Sequence, residues 1–225
     1  LLPPAMPGET PSTSSLPTPF YRLTKQQAET VYDPAEDTFL LMDAIEQDIE
    51  EICARLPRVV LEIGVGSGVV SALVAKALSD RGMHALSVGT DVNPDACEAA
   101  RCTATMNGVH VDVIRSDLAS ALMPRLTGTV DLLLFNPPYV PTEEEPASNL
   151  ERCWAGGVRG VSTLGRLLPS VPALLSPRGV FYLVALREND IPALLSHNEK
   201  LLKGSVVLER RAGIEYLYIL KFERI

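Results

Sequence analysis

Nowhere does the 225-residue chain carry the roughly 18 consecutive apolar residues that a membrane-spanning helix needs. It also shows no basic region followed by an apolar core and a small-residue cleavage site, so no secretory signal is expected. Basic residues are outnumbered: 20 Lys+Arg face 28 Asp+Glu, for a net charge of −8. A protein whose main task is to grip nucleic acid nonspecifically needs a basic footprint, so that class is disfavoured. The four cysteines (Cys53, Cys97, Cys102, Cys153) form no C-x-x-C pair, and His84, His110 and His197 are scattered. Zinc-ligand spacing is therefore absent and no metal site is expected. Sparse, unpaired cysteines suit a reduced compartment; the expected location is the cytoplasm, with the nucleus as a second. No internal repeat is visible. What is present is a globular composition, 46% hydrophobic with a mean hydropathy of +0.14. The length suits one large domain, or one domain with a tail.

Proline is uneven. Six of the 18 fall in the first 20 residues, among Ser and Thr. That stretch can form neither a helix nor a central strand, so residues 1–20 read as a flexible tail and 21–225 as the domain. Asp33-Pro34-Ala35-Glu36 resembles a helix start, with Asp33 as cap and Pro34 in the first turn. Phe39, Leu40, Met42, Ile45, Ile49 and Ile52 then recur at helical spacing, and the helix is expected to end before Pro57. Val59–Ile63 predicts a strand, Gly64–Gly68 a glycine loop, and the residues to Leu78 a helix. Further strands are predicted at 85–92, 109–115, 131–135 and 179–186, with helices between them. One helix starts at Asn93-Pro94, and another carries Pro169 and Pro172 near its end. Two closing strands, 205–210 and 215–222, flank Gly213. Alternating strands and helices imply a doubly wound, Rossmann-like α/β sheet. With the closing pair it has seven strands, mostly parallel, with an antiparallel end.

Gly64-x-Gly66-x-Gly68 differs from the dinucleotide pattern G-x-G-x-x-G, its third glycine arriving one residue early. Such glycines let backbone turn sharply and approach a ligand. Glu62 precedes the loop. Asp91 ends the next strand, where an acid can accept both hydroxyls of a ribose. No Lys-Ser/Thr follows the loop, so it is not a phosphate P-loop. A ribose acid without a phosphate cradle favours a nucleoside carrying no phosphate, such as S-adenosylmethionine. Asp117 ends the third strand, where its carboxylate can take a hydrogen from an adenine amino group and the Leu118 backbone can read the ring edge. The bland readings are a plain strand–helix joint and a solvated turn.

Asn136-Pro137-Pro138-Tyr139 is the most specific signal. It follows the fourth strand, on the side where ligands bind in such sheets. Two prolines stiffen the backbone and remove two donors; neighbouring carbonyls and the Asn136 side chain remain as acceptors. Two acceptors suit a planar –NH2 group and would turn its nitrogen toward a methyl donor, with Tyr139 as an apolar wall. A rigid turn after a buried strand is the alternative.

Several segments together carry a resemblance: Val31–Leu41, Leu61–Gly68, Thr90–Pro94, Ser116–Leu118, Phe135–Val140, Cys153–Gly157 and Ser176–Gly179. Over about residues 20 to 225 the chain resembles the HemK-type class I methyltransferases, in particular the eukaryotic branch acting on the Gly-Gly-Gln glutamine of the class-one translation termination factor. The Asn-Pro-Pro-Tyr tetrapeptide alone is shared with adenine-N6 and guanine-N2 nucleic-acid enzymes. The resemblance implies that Thr38, Glu62, Gly64, Asp91, Asp117 and Leu118 contact S-adenosyl-L-methionine, leaving S-adenosyl-L-homocysteine as product. Gly66 joins them through the loop. Asn136, Pro137 and Tyr139 form the catalytic set, with Asn136 on the substrate amide and at the cofactor. It also implies a small zinc-binding activator on the edge strand near 109–115, where Val109, Val111, Val113 and Ile114 would be covered. The equal alternative is that these residues face the domain's own helices. The substrate factor comes with or without its GTPase partner. Rival readings are histone H4 lysine methylation, DNA adenine-N6 methylation and a nucleoside-binding scaffold. The Glu143–Glu145 run reads as a solvated loop.

Overall fold

The fold, a computed structural model, describes residues 16–143 and 148–225. Helices α1 (Glu36–Gln47) and α2 (Ile49–Ala54) lead into strand β1 (Val59–Ile63). Then follow α3 (Val69–Asp80), β2 (Leu86–Asp91), α4 (Pro94–Met106), β3 (Asp112–Arg115), the single turn α5 (Met123–Leu126) and β4 (Val130–Phe135). The short helices α6 (Asn149–Arg152), α7 (Ser162–Leu167) and α8 (Val171–Leu174) precede β5 (Leu175–Leu186). Helix α9 (Ile191–Ser196) and the hairpin of β6 (Leu202–Ala212) and β7 (Glu215–Arg224) complete the order. Among the described residues no helix is long and apolar enough to cross a membrane.

The sheet has seven strands in the order β3-β2-β1-β4-β5-β7-β6. The first five pair in parallel, and β7 pairs antiparallel with both β5 and β6. Chain order reverses between β1 and β4, so the crevice where α/β sheets take ligands opens there. Side chains of β4 and β5 alternate between two cores, as period-2 geometry requires of strands buried on both faces. Leu132, Leu134, Val180, Tyr182 and Val184 pack with α1 and α3 on one face. Leu133, Phe135, Phe181, Leu183 and Ala185 pack with α7, α8 and α9 on the other. Each fully buried aliphatic or aromatic side chain contributes about 1.5–3 kcal/mol.

Several boundaries differ from the sequence expectation, each for a local reason. The first helix starts at Glu36, not Pro34: Asp33 accepts from the Tyr21 hydroxyl at 2.9 Å, and extended Ala35 is the cap, its N–H on Thr38 Oγ1 at 3.4 Å. The helix also breaks at Asp48. That carboxylate accepts from Tyr182 Oη at 2.6 Å and Lys221 Nζ at 3.0 Å, a buried polar knot binding the break to β5 and β7. Strand β3 begins only at Asp112, because Gly108 turns at φ +66° and Val109 N–H bonds back to Ala104 O at 3.0 Å. Residues 16–20, expected outside the domain, are bonded to it. Leu16 N–H donates to Glu46 at 2.8 Å, and Phe20 exchanges two bonds with the Asn107 side chain at 2.9 and 2.7 Å. Residues 1–15, and Glu144 and Glu145 of the Glu run, lie outside the described residues; Glu143 is exposed.

Candidate active site

Strand register brings four sequence-distant segments to one edge. Ile63 lies beside Thr90 on one side and Phe135 on the other, and Asp91 lies beside Arg115. Gly64, Asp91, Asp117 and Asn136 therefore sit at the carboxyl ends of four adjacent strands.

The glycine loop is built for close approach. Gly64, Gly66 and Gly68 all have positive φ. At Gly68, φ is +82° and a Cβ would lie 2.6 Å from Ala100 Cα, so α3 and α4 meet across this residue. Asp91 closes the loop: its Oδ2 accepts from Gly66 N–H at 3.1 Å and its Oδ1 from Asn93 N–H at 2.9 Å. Burial raises the Asp91 pKa, and the backbone donors at Asn93, Gly66 and Val92 oppose that rise. Glu62 is 4% exposed, and its carboxylate accepts from the Ser71 hydroxyl. Burial above all pushes it up to about 8, with the Asp91 charge adding to the shift and the Ser71 bonds resisting it. Neither acid has a cationic partner among the described residues. A buried acid and a half-buried one at a glycine loop, neither paired with a cation, fit a cationic, hydroxyl-bearing nucleoside and do not fit a phosphate.

Asp117 is differently placed. Its carboxylate is exposed and pairs with Arg166 on α7. Leu118 follows at φ +52° and is half-buried. Thr38 is buried in the first turn of α1, its hydroxyl shared between Ala35 N–H and the Asp37 carboxylate at 3.3 Å.

Around Asn136 the structure gathers a cluster centred on a residue that sequence reasoning passes over. Asp37 is 3% exposed on α1. Its Oδ2 accepts from Asn136 Nδ2 at 2.9 Å and from the Tyr139 hydroxyl at 2.8 Å. Its Oδ1 accepts from Thr38 N–H at 2.7 Å and from the Tyr32 hydroxyl at 3.3 Å. Burial and then the Asp37 charge hold both tyrosine hydroxyls far above their usual range. Asn136 Oδ1, by contrast, is buried with no partner. A buried acceptor left open is rare and calls for a ligand or a cost. Tyr139 is only 7% exposed and its ring packs in the core, so it anchors the site from beneath and offers little apolar wall. Pro137 is buried behind Asn136. A signal for Asp37 is present in the sequence: residues 37, 40, 41, 44 and 45 form one buried stripe, and a lone acid on such a stripe needs partners.

The segment after the tetrapeptide is held in place by the Cys153–Gly157 stretch. Val140 N–H donates to Trp154 O at 2.9 Å and Gly156 N–H to Val140 O at 2.8 Å. Asn189, which no sequence signal singles out, donates from Nδ2 to Tyr139 O and Arg159 O, both at 2.9 Å. Beside the Asp37 cluster a cavity of about 460 Å³ is lined by Tyr32, Glu36, Asp37, Tyr139, Arg211 and Glu215, among others. The Glu215 pKa is raised, by burial first and then by the charges of Asp37 and Glu188.

At the sheet edge, Val111 and Val113 of the expected docking segment face the domain's own helix α4. Val109 and Ile114 are half-buried. Across this edge runs an open concavity of about 690 Å³, with Leu86, Val88, Ile114, Leu122 and Leu126 among its lining residues. Both readings of the edge strand thus have residues: Val111 and Val113 pack on α4, yet they also border an open groove that mixes apolar side chains with Arg101, Asp112 and Arg125. Among the described residues no group of three or more His, Cys, Asp or Glu could hold a metal ion.

Residues 33–214 match the Methyltransferase small domain family. The chain is 46% identical over 211 residues to human "Methyltransferase HEMK2", covering 92% of this chain and 96% of that protein. It is 36% identical over 224 residues to the Schizosaccharomyces pombe "eRF1 methyltransferase catalytic subunit mtq2", covering 91% and 94%. Among solved structures it is similar to a chain of the E. cuniculi Mtq2–Trm112 complex, described as responsible for methylation of the eRF1 translation termination factor. There the TM-score is 0.65 at 26% identity, covering 87% of this chain and 99% of that one.

Proposed function

This chain belongs to the Methyltransferase small domain family, and from that membership we propose that it methylates the side-chain amide nitrogen of the Gly-Gly-Gln glutamine in the class-one translation termination factor. The observation that carries the reading is Asn136: its Oδ1 is a buried acceptor without a partner, on a carboxamide held by Asp37, one strand from the glycine loop. The relatives whose names specify eRF1 methylation support the substrate class.

Glu62, Gly64, Gly66 and Asp91 would hold S-adenosyl-L-methionine, with Thr38, Asp117 and Leu118 at its margins. When bound, it supplies an electrophilic methyl group on a sulfonium, and S-adenosyl-L-homocysteine is the product. The protein's own part is orientation. An amide nitrogen is a weak nucleophile, so holding it at near-attack distance with water excluded must supply much of the rate. Asn136 Oδ1 accepts one amide hydrogen and sets the plane of the group. Pro137 and Pro138 stiffen the backbone beneath it.

A small activator, zinc-binding in its own right, would cover the β3 edge at Leu86, Ile114, Leu122 and Leu126. The Trm112 subunit of the E. cuniculi complex supports a partner of that kind. The working location would be the cytoplasm, with the nucleus as a second. The test is mass spectrometry of the termination factor, with and without its GTPase partner, after incubation with enzyme, activator and cofactor. Methylation should map to the glutamine. Asn136→Ala should abolish it while cofactor affinity stays within about threefold, a loss of at least 100-fold. A variant that still transfers at a near wild-type rate sinks the site assignment.

One observation favours a second acceptor, a lysine of histone H4. Glu36, Asp37 and Glu215 outnumber Arg211 in the cavity lining, and the net negative charge suits an ammonium. A lysine must lose a proton before attack, so its rate should rise about tenfold per pH unit below its pKa. With the cofactor saturating at every pH, an amide acceptor should show no such rise.

A further inference from the structure

Asp37 lies on α1, outside the sheet, yet it bonds to the Asn136 side chain at the end of β4. A carboxylate only accepts hydrogen bonds. Whichever terminal atom of Asn136 faces it must therefore be the nitrogen, and the observed 2.9 Å contact is Nδ2 to Oδ2. Without such a neighbour the two ends of a carboxamide are nearly alike in shape, and a flip of the side chain would exchange donor for acceptor. Asp37 removes that freedom. Its own position is secured by Tyr139 at 2.8 Å, Thr38 N–H at 2.7 Å and Tyr32 at 3.3 Å, so the carboxylate cannot turn away to suit another orientation. The consequence is the unpartnered state of Asn136 Oδ1.

We propose that Asp37 is a positioning residue that sets the donor–acceptor polarity of Asn136, and through it the preference for an acceptor that brings N–H groups over one that brings only oxygen. The inference rests on the amide-acceptor reading. A glutamine –NH2 donates to Oδ1. A glutamate carboxylate at the same place would set acceptor against acceptor and leave both unsatisfied, which is where polar sites discriminate most strongly. Asp37→Asn is nearly isosteric but undoes the logic: with one carbonyl and one –NH2 it cannot accept on both edges, so Asn136 is free to flip.

The experiment compares binding of a Gly-Gly-Gln peptide and its Gly-Gly-Glu counterpart to the enzyme–activator complex, saturated with S-adenosyl-L-homocysteine. Wild type should favour the glutamine peptide by at least tenfold. Asp37→Asn should narrow that ratio to within about threefold and, in a separate turnover assay with S-adenosyl-L-methionine, lower kcat for the glutamine peptide by about 100-fold. A role in stability alone would weaken both peptides alike, and an unchanged ratio overturns the proposal. A second measurement needs no variant of Asp37 and no turnover. In the wild-type NMR spectrum the Asn136 side-chain amide hydrogens, assigned by their loss in Asn136→Ala, should be protected from solvent exchange. Free exchange overturns the proposal even if Asp37→Asn fails to fold. If wild type transfers nothing to glutamine while those hydrogens are protected, the acceptor reading falls and the orientation of Asn136 by Asp37 stands.

Discussion

Replacing Glu62 by Gln tests the electrostatics of the cofactor loop. The Glu62 carboxyl lies 4% exposed with one hydroxyl donor, and burial lifts its pKa from 4.5 to about 8. The sign follows from which state holds the proton. Below pH 4.5 the group is protonated folded and unfolded, and it adds no pH dependence. Between 4.5 and about 8 the unfolded chain ionises while the folded one stays neutral, so stability falls with rising pH. The slope approaches 1.4 kcal/mol per pH unit, the value for one proton. Above about 8 both states are ionised and the slope vanishes. Glu62→Gln removes this titration, so its stability relative to wild type should climb through that window. Cofactor binding should run the other way. A cationic ligand selects the carboxylate, so binding near pH 7 should release a proton, and affinity should rise about tenfold per pH unit up to about pH 8. Calorimetry in two buffers of different ionisation enthalpy reads the proton directly. Urea unfolding of both forms at pH 6, 7 and 8 reads the stability. A cofactor affinity flat from pH 6 to 9, with no proton released, would refute the argument.

Two further predictions address the loop and the edge. Gly68→Ala should cost about 2–5 kcal/mol, combining left-handed strain with overpacking against Ala100. Gly82→Ala has the same sign of φ but nothing within 4 Å of the added methyl, so it should cost only about 1–2 kcal/mol. Equal shifts in Tm for the two would sink the close-approach argument. Leu86 is 46% exposed in the edge concavity. Leu86→Asp should leave Tm nearly unchanged but weaken activator binding by about 3- to 10-fold, since covering the exposed half of the side chain is worth roughly half of the 1.5–3 kcal/mol of full burial; titration calorimetry of the pair checks it.

Local chemistry makes much of this molecule legible in its sequence. Asn93-Pro94 opens a helix because Asn93 Oδ1 accepts the Asp95 N–H at 2.9 Å and proline fits the first turn, needs a few residues can meet alone. The apolar runs of β1 and β4 read as buried strands for the same reason, as does the antiparallel close around Gly213. Where local signals compete, the sequence misleads. Asp33 could cap a helix, but the Tyr21 hydroxyl bonds to it instead. The apolar period runs on past Asp48, but Tyr182 and Lys221, 134 and 173 residues away, bond to that carboxylate and break the helix there.

Composition and motif alone thus determined the class of sheet, the glycine loop, the acids at two strand ends and the stiff tetrapeptide at a third. Those features arise from spacing along the chain. Tertiary structure decided what the site can do with them. Register set Gly64, Asp91 and Asn136 on adjacent strand ends. Folding also carried Asp37 to partners 99 and 102 residues away, leaving Asn136 with one open acceptor. The polarity of a carboxamide depends on what its far end touches, and that neighbour is chosen by packing in three dimensions.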